Sequence, residues 1–136
     1  MTNTVQERGA PAWWNSLERR SAFIAGYVEA MFFTWPDDDG DSPANVGDLA
    51  PETLARIFRD CRHFQQRSKA TLTAVRALYG YDSQQAGRDF WFTRNGYGVG
   101  YWDRGLGDLG DRLTRIAGRF GTVDPYRGDD GRVYMA

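Results

Sequence analysis

Residues 51–79, "PETLARIFRDCRHFQQRSKATLTAVRALY", constrain the fold more than any other stretch. Leu54, Ile57, Phe58, Cys61, Phe64, Ser68, Leu72, Val75 and Tyr79 recur at helical spacing along one face. Arg59, Arg62, Gln66, Lys69, Thr73 and Arg76 follow another face. Pro51 suits a first helical turn and Gly80 suits a helix stop. The spacing therefore predicts a long amphipathic helix, either continuous or broken near Arg67–Ser68. Such a helix needs a partner for its apolar stripe, and the 136 residues allow one domain with a real core.

The partner is predicted upstream. Leu17, Phe23, Ile24, Tyr27, Val28, Met31 and Phe32 lie close to helical spacing, with Ser16 as the expected N-cap and Pro36 as the stop. Residues 1–12 read as a polar arm. "PDDDGDSPANVGDLAP" reads as an acidic loop between the two helices.

Beyond Gly80 the pattern changes. "DSQQAG" is expected to make one short turn capped by Asp82 or Ser83. "DFWFTR" and "YGVGYWD" flank Asn95-Gly96, the strongest short hairpin signal. A two-residue turn there puts Phe90, Phe92, Val99 and Tyr101 on one face and lays Trp91 over Gly98 and Gly100. A helix through Leu106, Leu109, Leu113, Ile116 and Phe120 should follow, then a second hairpin around Asp129-Asp130-Gly131. The expected class is α+β: two long N-terminal helices, then hairpin, helix, hairpin, with the helices covering a small antiparallel sheet.

Charge is unevenly placed. Residues 1–50 hold three arginines against eight acids; residues 51–79 hold six cations against two acids. Arg59, Arg62, Lys69 and Arg76 on the long helix form the candidate nucleic-acid face. The plainer alternative is a solvated charged face. Cys61, the single cysteine, excludes an internal disulfide and fits a reducing compartment. No apolar run approaches the roughly 20 residues of a membrane span. A soluble cytoplasmic protein with no membrane contact is expected.

Three weaker motifs point to ligands. Gly105-Leu-Gly-Asp-Leu-Gly110 matches G-x-G-x-x-G, with Asp124 downstream. Asp103, Asp108 and Asp111 would repel a pyrophosphate there, and the helical first half leaves too few strands for a doubly wound sheet. Asp37, Asp39, Asp41 and Asp48 fall at positions 1, 3, 5 and 12 of a calcium-like loop, but Gly40 and Pro43 sit at the wrong positions for it. Cys61 and His63, two apart, do not share a helix face and cannot build a zinc site alone. No catalytic constellation emerges, so neither cofactor nor enzymatic activity is expected; a nucleotide- or metal-dependent enzyme is the remote alternative.

"DFWFTRNGYGVGYWDRGLGDLGDRLT" with "DPYRGDDGRVYM" resembles a family of small proteins encoded by bacteriophages and other mobile elements. Its members carry Asp-Phe-Trp-hydrophobic-Thr-Arg-Asn-Gly, then a glycine-aromatic-Trp-Asp-Arg-Gly-Leu-Gly block, over roughly the last 55 residues of this chain. They often have histidine at the position of Tyr97. The resemblance implies a phage accessory protein acting in the host cytoplasm. It would bind and inhibit a host protein or ribonucleoprotein defence complex, in an anti-CRISPR or anti-restriction role. For that partner the candidate contacts are Trp91, Arg94, Tyr97, Trp102 and Arg104, aromatic and arginine residues of the kind that dominate interfaces. The plainer alternative places Trp91 and Trp102 in the core.

Overall fold

A computed structural model describes residues 11–35 and 44–136. The acidic-loop positions Asp37, Asp39 and Asp41, Pro36, and residues 1–10 of the expected arm lie outside the described residues. The described chain is α+β, dominated by helix. In order it forms α1 (Ala12–Arg20), α2 (Ala22–Phe33), α3 (Pro51–Arg67), α4 (Lys69–Tyr79), α5 (Ser83–Arg94) and α6 (Asp108–Gly118). The strands β1 (Pro125–Arg127) and β2 (Val133–Met135) close the chain.

Both long helices are broken at serine. The first begins at Ala12 behind Pro11, not at Ser16, because that start carries Trp14 and Leu17 into the core. It ends at Ser21, whose hydroxyl accepts from the Ile24 N–H and so caps α2. The long amphipathic helix divides at Ser68 into α3 and α4. Thr53, Ile57, Cys61, Phe64, Thr71 and Val75 are buried, whereas Tyr79, expected on the apolar stripe, is exposed.

The Asn95-Gly96 hairpin does not form. Asp82 caps α5 by accepting from the Gln85 N–H, and the helix then runs twelve residues, through Phe90 and Trp91, to Arg94. Gly96 does take positive φ, +72°, but as the residue after a helix end. The Gly96 N–H donates to Thr93 O and the Tyr97 N–H to Phe92 O, while the Tyr97 and Phe92 rings meet edge to face at 6.0 Å. These are the paired hydrogen bonds and apolar contact of a Schellman motif. An Asn-Gly pair serves this ending as well as it serves a primed turn. Burial of Ala86, Gly87, Phe90, Trp91 and Arg94 follows the helical period, not the alternation of a strand.

Helices α2 and α5 form the centre. A Cβ on Gly26 would collide with the Gln84 carbonyl, and one on Gly87 with the Phe23 carbonyl, so the two backbones touch there. Around this crossing Phe23, Tyr27, Phe64, Phe90, Trp91, Tyr101 and Phe120 interlock, with Phe64 and Phe90 stacked at 4.3 Å. Trp91 donates its indole N–H to Thr34 Oγ1 and does not cover a glycine. The tryptophan lying against Gly100 is Trp102, whose ring occupies the space a Cβ would need. Nothing crowds Gly98.

The second hairpin forms as expected, with Tyr126 opposite Tyr134. It is the one antiparallel sheet among the described residues and docks on the start of α3. There Val133 O accepts from the Ala50 N–H and the Thr53 hydroxyl.

Candidate functional site

Arginine has two fates in this fold, and they decide which residues can meet a ligand. Arg94 is 4 % exposed. Its guanidinium donates to Asp60 Oδ2 at 2.9 Å, to the Tyr27 hydroxyl at 3.0 Å, and to the carbonyls of Gly121 and Phe120. It also lies over the Phe90 and Phe120 rings. Arg104 makes a two-pronged pair with the fully buried Asp89, at 3.0 and 2.8 Å. Tyr81 and Gln85 donate to the same carboxylate. Both arginines are consumed by the protein itself: Arg94 ties α5 to α3 and the chain after α6, and Arg104 ties the 95–107 loop to α5.

The predicted partner surface is therefore divided. Trp91, at 1 % exposure, and Arg94 are core residues, and Arg104 is committed to Asp89. Tyr97 and Trp102 do reach the surface, at 39 % and 44 % exposure, with Val99 between them.

The predicted basic face fares better. Arg62, Lys69 and Arg76 line an open cavity of about 400 Å³ between α3–α4 and the start of α5. Gln65, Gln66, Leu72 and Thr73 complete that wall; Tyr81, Asp82 and Ser83 face it. Arg76 also borders an adjoining cavity of about 470 Å³, where Arg19 and Arg20 from the end of α1 join it. The first residues of α2 and α5, Ser21–Phe23 and Asp82–Gln84, line this second lobe, so the positive ends of two helices add to the field. Arg76 donates to Ser83 Oγ across the junction, at 3.3 Å.

None of Arg19, Arg20, Arg62, Lys69 and Arg76 forms an ion pair with a described residue. Among the described residues Asp82 is the single carboxylate on the two cavity walls, and one of its oxygens is held by the Gln85 N–H. Arg59 differs: it does not line the cleft and pairs with Asp60 at 3.4 Å. Arg19 and Arg20 were not legible as site residues. An Arg-Arg pair before a serine cap reads as a favourable helix end, and only the tertiary fold brings it to residues 62–76.

The remaining motifs have structural uses. Gly105 and Gly107 take positive φ and lead into α6, Gly110 packs against the Tyr101 carbonyl, and the Gly110 N–H is spent on Gly107 O. Asp124 pairs its backbone with Ala136 beside β1 and faces no glycine loop. Asp48 closes a capping box with Asn45 and lies 3.6 Å from Arg127. Cys61 is fully buried, and burial pushes its thiol well above the usual range. His63 rests edge-on against Phe120. Among the described residues no cluster of His, Cys, Asp and Glu could hold a metal ion, and no helix is long and apolar enough to cross a membrane. Comparisons with protein families, with curated proteins and with solved structures find no match for this chain.

Proposed function

We propose that the protein binds nucleic acid through its phosphates, in the cleft walled by Arg19, Arg20, Arg62, Lys69 and Arg76. One observation carries this reading: five cations from separate helices converge on two adjoining cavities with no intramolecular ion pair among described residues. Elsewhere the chain neutralises the charges it buries, as Arg94 with Asp60 and Asp89 with Arg104 show. Cations gathered in a concave site with no carboxylate partner among the described residues suit a polyanion, which they bind by releasing its counterions.

A second reading has its own observation. Tyr97, Val99 and Trp102 stand exposed on a loop fixed by the Asp89–Arg104 pair, which suits contact with a protein of a host defence complex. The two readings separate in a mobility-shift series. Arg62→Glu/Lys69→Glu/Arg76→Glu should abolish the nucleic-acid shift with unchanged helical circular dichroism. Tyr97→Ala/Trp102→Ala should leave it intact, as should Arg59→Glu. A shift lost only in the loop variant would move the working surface to the loop.

A further inference from the structure

Building on the nucleic-acid reading, we infer that the cleft takes a single strand and discriminates against a duplex. Its two walls are chemically unlike. The α3–α4 wall carries Arg62, Lys69 and Arg76 in one file, each seven residues from the next. That file starts on α3 and continues onto α4 across the break at Ser68. The facing wall, from the start of α5, offers Tyr81, Asp82 and Ser83. It carries no cation, and its one carboxylate, Asp82, sets a local repulsion against the attraction of the helix end behind it.

A duplex shows phosphates on its outside along both strands, with its bases paired inward. Such a convex rod can reach cations only on a ridge or in a broad trough, and it has nothing to offer Asp82. A single strand has one backbone and unpaired base edges, and single-strand binders meet it with a cationic groove. Here the backbone lies along the arginine file. Base and sugar donors turn to Asp82 Oδ2 and Ser83 on the facing wall. Open lobes of about 400 and 470 Å³ have room for a small organic unit such as a nucleotide. Arg76, which borders both lobes, is the shared phosphate anchor.

The test is a fluorescence-anisotropy titration of the full chain. It uses labelled oligothymidylate and oligouridylate of about 12 nucleotides, and a mixed-sequence duplex of the same length. The expected result is single-strand binding at least about tenfold tighter than duplex binding, a difference of about 1.4 kcal/mol. Either sugar satisfies the inference. Asp82→Asn keeps the helix cap, since asparagine caps as well as aspartate, but removes the repulsive charge. It should therefore narrow the single-strand preference severalfold by admitting the duplex. Equal or tighter duplex binding that still depends on Arg62 and Arg76 would overturn the single-strand inference and leave the nucleic-acid reading standing. No binding to any of the three would overturn both.

Discussion

Replacing Arg62 and Arg76 by alanine removes two of the five cleft cations while sparing the fold. Arg62 contributes a stacking contact 6.0 Å from the Phe58 ring, and Arg76 one 3.3 Å hydrogen bond to Ser83. Exposed contacts of this kind are worth under about 1 kcal/mol each. The effect on binding is much larger and has a defined form. With five phosphate contacts on a single strand, the logarithm of the binding constant should fall with the logarithm of salt at a slope of about −3.5. Raising salt from about 50 to about 200 mM then weakens the wild-type complex by about 130-fold. With three contacts the slope becomes about −2.1, and the same change costs about 18-fold. Anisotropy titrations at four or five salt concentrations read both slopes directly. Should the double variant bind more weakly at every salt but keep the wild-type slope, Arg62 and Arg76 would not be meeting phosphates, and the cleft assignment would fail.

Other consequences bear on the scaffold. Gly87→Ala drives a methyl into the Phe23 carbonyl and should destabilise by about 1–3 kcal/mol, whereas Gly118→Ala, in open space at the end of α6, should stabilise by about 0.4–1 kcal/mol; chemical denaturation of both variants checks the opposite signs. Burial holds the phenols of Tyr27, Tyr81 and Tyr101 above their ordinary range, helped at Tyr81 by the Asp89 carboxylate, and holds the Cys61 thiol up likewise. Groups whose folded pKa is raised contribute stability that is intact below the unfolded pKa and lost as pH rises above it. With unfolded values of about 8.5 for cysteine and 10 for tyrosine, stability should fall first as pH passes the thiol value and more steeply as it passes the phenol value. Helicity should therefore collapse together with the late rise in tyrosinate absorbance, and phenols ionising in a fully helical protein would contradict the burial.

How much of this was legible depends on whether a local signal had one meaning. The Asp129-Asp130-Gly131 hairpin was readable because Pro125–Arg127 and Val133–Met135 have no competing helical period. Asn95-Gly96 was misread because positive φ at Gly96 satisfies a helix end and a primed turn equally. The deciding information lay upstream, in the Asp82 cap and in Gly87, whose missing side chain makes sense only against the Phe23 backbone sixty-four residues away. The basic face was legible as a stripe at residues 62, 69 and 76. That it forms one wall of a cleft, with Arg19 and Arg20 at its end, was not, because α1 reaches it only through the packing of α2 on α5.

Composition also conceals the distinction on which function turns. Sixteen arginines and one lysine against eighteen acids give a net charge of −1, which by itself argues against a polyanion ligand. The fold sorts those charges by whether their demands are met. Asp60 and Asp89 are spent on Arg94 and Arg104, and desolvation would otherwise make the buried member of each pair, Arg94 and Asp89, costly. Their pairing removes charge of both signs from the surface budget. What remains on the cleft walls, among the described residues, is a cluster of cations with one carboxylate, Asp82. A ligand meets this local field, not the chain average, because at physiological salt charges beyond about 8 Å are screened. A slightly acidic protein can therefore hold a phosphate path where cations outnumber carboxylates locally, as they do on these two walls among the described residues.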